Sequence, residues 1–156
     1  NLTTSREIEL LSSNVTKLLS RKSRTKYITE YLEDYYKKYD YMVEKEVPFK
    51  FNYKEFSENY VEQKYNSVKP GILDLRVSHK DNILDIEIDG SHKRKSVFKL
   101  IYCKNVLNHS VLWVRHTYMI PKKRDLSSFK RDIELLYINK IPIIELYENV
   151  IYKNNE

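Results

Sequence analysis

The apolar residues of this chain recur in two periods, and the switching between them predicts its elements. Between about Thr4 and Leu19, Ile8, Leu11, Val15, Leu18 and Leu19 fall at helical spacing after a Thr-Thr-Ser capping stretch, which predicts a first helix. The basic patch Arg21-Lys22-Ser23-Arg24 interrupts the pattern, and a second helix is expected from about Lys26 to Tyr39 on Ile28, Leu32, Tyr35 and Tyr36. The period then drops to two. Val43 to Phe51 alternates apolar and polar residues, with Pro48 confining it to a sheet edge or a strand end. Asn52 to Lys69 has no clean period and is expected to be a loop, an insertion facing a ligand.

After Pro70-Gly71, Leu73, Leu75 and Val77 alternate with Asp74, Arg76 and Ser78. The turn formers His79 to Asn82 follow, and Leu84, Ile86 and Ile88 then alternate with Asp85, Glu87 and Asp89, so a hairpin is predicted. Helical spacing returns from about Arg94 to Leu107 on Val97, Leu100, Ile101 and Leu107. Val111-Leu112-Trp113-Val114 has the continuous apolar character of a buried strand. Asp125 to Ser128 caps a helix through about Ile138, carried by Phe129, Ile133, Leu136 and Tyr137, and Ile141 to Leu146 is a last strand. This order predicts an α/β fold with a mixed central sheet of about five strands flanked by helices.

Size and composition narrow the picture. The 156 residues suit a single domain, with 1–24 as an N-terminal helical extension, 25–147 as the core and 148–156 as a polar tail. A hydrophobic share of 41% and only two glycines and four prolines argue for regular, packed elements. The single cysteine, Cys103, excludes an internal disulfide and fits a reducing compartment, so a cytoplasmic location is expected. No apolar run approaches the roughly 20 residues needed to cross a bilayer, and Asn1-Leu2-Thr3-Thr4 lacks the features of a signal peptide. The net charge of +6 favours a polyanionic partner.

Candidate chemistry centres on the hairpin. If Ser78 and Ile83 close a four-residue loop, antiparallel pairing sets Asp74 opposite Glu87 and Arg76 opposite Asp85. Opposed Cβ atoms stand about 5 Å apart, close enough for two carboxylates to share one divalent cation. The competing reading is a solvated face of a half-buried hairpin. Against it, Asp85, Glu87 and Asp89 place three like charges on one face, and Arg76 offsets only one. A titratable His92 and the cations Lys93, Arg94 and Lys95 follow at once, with Lys99 one turn on from Lys95. Carboxylates that hold Mg²⁺ beside cations that hold phosphate are what phosphodiester hydrolysis requires.

At these residues the chain resembles the PD-(D/E)XK nucleases, and within them the group containing the very-short-patch repair endonuclease. The matching text is Gly71-Ile72-Leu73-Asp74-Leu75-Arg76, then Ile86-Glu87-Ile88-Asp89-Gly90-Ser91-His92, with Val114-Arg115 similar to the family's strand ending in Arg. The order of elements from about Lys26 to Leu146 agrees with the restriction-endonuclease-like fold that the resemblance implies. The resemblance also implies that Asp74, Glu87 and the Ile88 carbonyl are metal ligands, that Glu30 matches an acidic position of the family, and that His92 orients or deprotonates water or steadies the leaving phosphate. Asp89 stands where commoner members carry lysine, which leaves the identity of the general base open, and Asp74, Glu87, Asp89 and His92 are the expected catalytic residues. Lys93, Arg94, Lys95, Lys99 and Arg115 are the expected nucleic-acid contacts.

The expected activity is therefore that of a Mg²⁺-dependent endodeoxyribonuclease, with Mn²⁺ as a substitute. Restriction or repair is the implied setting, either alone or as the small strand-nicking subunit beside a larger DNA-recognition subunit or a second copy. Two alternatives stay open: a non-catalytic basic module of the same fold, and a resolvase of branched DNA. His79, His92, His109 and His116 lack the spacing of a structural zinc site, and no Gly-rich phosphate loop exists. The tyrosines of Tyr27 to Tyr41 suit core packing better than base stacking.

Overall fold

The computed structural model describes residues 11–15, 17–18, 20–49, 56, 71–90, 93–116 and 126–146. Its strands are β1 (Met42–Phe49), β2 (Gly71–His79), β3 (Asn82–Asp89), β4 (Ser110–Arg115) and β5 (Ile143–Glu145). Its helices are α1 (Arg21–Lys38), α2 (Arg94–Asn105) and α3 (Leu126–Ile138), and residues 11–15 are also helical. One sheet runs in the order β1-β2-β3-β4-β5. The first three strands pair antiparallel and the last three parallel, so the sheet is mixed, as the sequence predicts. Parallel neighbours need a crossover, and α2 and α3 supply the two required here. Pro48 lies near the end of β1, which is an edge strand, the place in a sheet where proline is tolerated.

α1 starts earlier than its apolar period suggests. Ser20 caps it by accepting the Ser23 N–H at 3.1 Å, so the basic patch forms the first turn and does not break the helix. Its buried residues Ile28, Leu32 and Tyr36 pack with Leu75, Val77, Ile86, Ile88, Leu112 and Val114. On the other side of the sheet, Val97, Leu100, Ile101 and Cys103 of α2 and Leu136 of α3 pack with Val111 and Trp113. Alternate residues of β4 thus enter opposite layers, which explains its unbroken apolar run. Leu32 is 1% exposed, and truncating it to alanine costs about 2–5 kcal/mol.

One irregularity shapes the site. The β1–β2 pairing runs to Lys45↔Leu75 and resumes at Val47↔Leu73, skipping Glu46 and Asp74. Glu46 takes the left-handed φ of 51°, a conformation costing about 1–2 kcal/mol for a residue with a Cβ. Across this break the strands turn over. Val43, Leu75 and Val77 belong to the α1 layer, whereas Val47 and Leu73 belong to the α2 layer.

Candidate active site

The β2–β3 hairpin has the expected register. Arg76 pairs with Asp85 and Ser78 with Ile83, and His79↔Asn82 shortens the turn to Lys80 and Asp81, with Lys80 at φ 57°. The ladder stops at Leu75↔Ile86. Beyond it, carboxylates replace the backbone: Asp74 Oδ2 accepts the Ile88 N–H at 2.8 Å, and Glu87 Oε2 accepts the Asp74 N–H at 3.3 Å. Asp74 and Glu87 therefore share the gap where two strands part. In extended backbone a residue's own N–H and C=O point to the same side, so the Ile88 carbonyl faces this gap too.

The acidic face of β3 is not solvated. Asp85 and Glu87 are 0% exposed and Asp89 5%, because α2 lies over them. Residues two apart on the strand repeat about every 6.6 Å, close to the rise of three or four residues on a helix. Ser96, Lys99 and Cys103 consequently meet the three carboxylates in turn. Ser96 donates to Asp89 Oδ2 at 2.5 Å, the Lys99 ammonium pairs with Glu87, and the Cys103 thiol bonds Asp85.

Each carboxylate has further partners. Asp85 takes Arg76 Nε at 2.6 Å, Arg76 Nη2 at 3.3 Å and His109 Nδ1 at 2.7 Å. Asp89 also accepts Trp113 Nε1 at 2.8 Å and pairs with Lys93 at 3.6 Å. Glu87 is the most strained electrostatically. Burial, and then the hydrogen bond and charge of Asp74, push its carboxyl well above the ordinary range, while Lys99 opposes that rise. Burial also raises Asp89, against the hydrogen bonds from Ser96 and Trp113. Lys99 is further anchored by donation to the Ile72 carbonyl at 2.8 Å.

The remaining predicted residues are dispersed. Glu30 is exposed on α1, whose buried face packs on the opposite side of the sheet from Lys99. Arg115, expected on nucleic acid, is 5% exposed, with its guanidinium 5.0 Å from the Trp113 ring centroid and 3.5 Å from Glu145, so it lies inside the fold. Arg94 pairs with Asp132 at 3.2 Å. Lys93 and Lys95 are exposed. His92 and, apart from Phe56, the Asn52 to Lys69 stretch lie outside the described residues.

Sequence reasoning missed the partners contributed by α2. Their signal was present: Ser96, Lys99 and Cys103 fall on the same helical stripe as Val97, Leu100 and Ile101, so Lys99 had to enter the core side. It missed as well His109 on Asp85, and His116, whose Nε2 lies 2.8 Å from Thr25 Oγ1. Those contacts join residues far apart in sequence and leave no local pattern. Among the described residues, no cluster of three or more His, Cys, Asp and Glu side chains forms a metal site. The carboxylate gap is a two-side-chain site with backbone beside it. Comparison with family models, with characterised proteins and with solved structures finds no match for this chain.

Proposed function

We propose that this protein hydrolyses phosphodiester bonds of DNA with a divalent cation, Mg²⁺ or Mn²⁺, held at Asp74 and Glu87. The observation that carries this reading is the placement of two carboxylates in the gap where β2 and β3 part, with the Lys99 ammonium on one of them. The donor chemistry fits a hard cation: two carboxylates, one driven towards its protonated form by burial and by the other, gain from a positive charge between them. The Ile88 carbonyl faces the same gap. Such a cation, when bound, polarises a phosphoryl oxygen and lowers the pKa of bound water.

The chain's own groups do the rest. Lys99 favours the ionised form of Glu87 against burial and Asp74 and sets a positive charge beside the carboxylates, where the non-bridging oxygens of a phosphodiester need neutralising. Asp89 acts through α2: its bond to Ser96 fixes the helix turn that carries Lys99, which makes it a positioning residue. This answers the departure from the Glu-x-Lys pattern, since the ammonium comes from the helix and Asp89 secures that helix. The group that takes the water proton is His92 or one of the carboxylates.

Supercoiled plasmid incubated with the protein in Mg²⁺ tests the activity. Nicked or linear product that disappears in Glu87→Ala supports it, and an uncut plasmid under both Mg²⁺ and Mn²⁺ favours the non-catalytic module. A four-way junction cut faster than linear duplex turns the reading to a resolvase.

A further inference from the structure

Three of the large apolar side chains that the fold leaves exposed share one corner, where two helices end. Val106, Tyr137 and Ile138 are 56%, 86% and 70% exposed. Lys104 donates to the carbonyls of Asn139 and Lys140, and Asn105 Nδ2 donates to Asn139 Oδ1 at 2.8 Å, so the last turn of α2 is tied to the turn that follows α3. Val106 directly follows Asn105 and therefore lies at the same corner as Tyr137 and Ile138. The core makes no use of these side chains. α3 packs on the sheet through Ile133, Leu135 and Leu136, and its exposed stripe is Lys130, Glu134, Tyr137 and Ile138.

Single exposed apolar residues are ordinary, but these three together leave roughly 400 Å² of apolar surface in water. One side of a standard protein–protein interface buries about 800 Å², of which about 57%, or roughly 450 Å², is apolar. The corner thus supplies most of the apolar share of one such side. Its charged border is self-complementary. Glu134 stands three residues before Tyr137 and Lys140 three after it, both are exposed, and among the described residues neither has an ion-pair partner. Lys140 takes the left-handed position after the helix end, φ 54°, with its N–H on the Tyr137 carbonyl at 3.1 Å, a place where glycine is usual and a cation here stands free.

We infer that this corner is a self-association surface, at which a second copy of the chain packs its own Val106, Tyr137 and Ile138 against the first about a two-fold axis at Tyr137. Antiparallel α3 helices crossing at that residue set Glu134 of each copy against Lys140 of the other, which opposes the repulsion between two chains of net charge +6. α3 runs back from the carboxyl end of β4 to the start of β5, so an axis in its last turn carries the two Asp74–Glu87 gaps to opposite poles of the pair. The association does not depend on what those gaps do. On the nuclease reading, gaps placed so far apart cannot cut facing strands at one point, which suits a nicking enzyme.

Sedimentation equilibrium of the full chain from about 1 μM to about 1 mM is the test. The wild type is expected to pass from monomer to dimer across that range. Tyr137→Ser with Ile138→Ser should stay monomeric, with an unchanged circular dichroism spectrum because both side chains are exposed. Glu134→Lys alone and Lys140→Glu alone each set like charges across the axis and should weaken the dimer several-fold. Mixed in equal amounts, these two variants should associate more tightly than either does alone, since every contact across the axis then joins opposite charges. Each substitution changes the net charge of +6 by two and leaves it positive, so attraction between net charges cannot produce that result. Self-association that survives Tyr137→Ser with Ile138→Ser, or a mixture no tighter than its parts, overturns the inference. A wild type that stays monomeric throughout also overturns it and leaves the corner to a different protein.

Discussion

Replacing Lys99 by methionine asks whether its ammonium keeps Glu87 ionised. Methionine retains much of the apolar stem and removes the charge. Glu87 is 0% exposed, and among the described residues Lys99 and the Asp74 N–H favour its charge while the Asp74 carboxylate repels it. In Lys99→Met the carboxyl of the folded protein therefore holds its proton to higher pH still. Between the unfolded and folded pKa values the folded chain binds one proton more than the unfolded chain, so stability is present at low pH and falls as pH rises. The slope is about 1.4 kcal/mol per pH unit. The reference is Lys99→Met combined with Glu87→Gln, which has the same apolar substitution and no titrating group. For each pH unit above the ordinary carboxylate range through which folded Glu87 keeps its proton, the single variant should lose this much stability relative to the double variant, roughly 3–6 °C in Tm for a chain of this size. Urea unfolding followed by the fluorescence of Trp113, the one tryptophan, and by far-UV circular dichroism measures it. Parallel pH profiles for the two variants would refute the coupling.

Asp89→Ala removes the one oxygen, Oδ2, to which the buried donors Ser96 Oγ and Trp113 Nε1 both donate. It should cost about 1–3 kcal/mol, shift the Trp113 emission and lower kcat more than it raises KM, whereas an unchanged emission spectrum would remove Asp89 from this role. His116 has a depressed pKa of about 4, so the folded chain binds fewer protons than the unfolded chain below the ordinary imidazole range. Stability should fall by roughly 3 kcal/mol as pH drops through that range towards 4, and His116→Gln should flatten this acid limb in urea titrations. Gly90→Ala puts a methyl 2.8 Å from His116 Cε1 and should destabilise by about 1–3 kcal/mol. The effect is steric, since Gly90 has no positive φ, so thermal melts of Gly90→Ala with His116→Ala should recover much of the loss.

The sheet was legible because its strands carry their environment in their period. Alternation gave the β2–β3 hairpin and the Arg76↔Asp85 register, and Pro48 marked the edge strand. The continuous run at Val111 to Val114 marked a strand covered on both sides. Strand order and the parallel pairing of β3, β4 and β5 were open, because crossovers are not encoded in either period. The start of α1 was misplaced by five residues, Arg21 against Lys26, since a capped first turn made of cations has no apolar residue to announce it. At the site, Asp74 and Glu87 were legible as a facing pair. Polarity alone suggested an open acidic face, and what closes that face is α2, whose Lys99 then turns to Glu87. Arg115 was legible only as a cation at a strand end, and its burial against Trp113 depends on the neighbouring layer.

The central claim is that Asp74 and Glu87 together hold the cation on which hydrolysis depends. A crystal soaked in Mn²⁺ and measured at the manganese edge addresses it without reference to substrate. One anomalous peak should appear between the two carboxylates, within about 2.0–2.2 Å of an oxygen of each, and vanish in Glu87→Gln. Carboxylates that keep the Ile88 and Asp74 N–H groups as their partners, with no peak between them at saturating Mn²⁺, would contradict it.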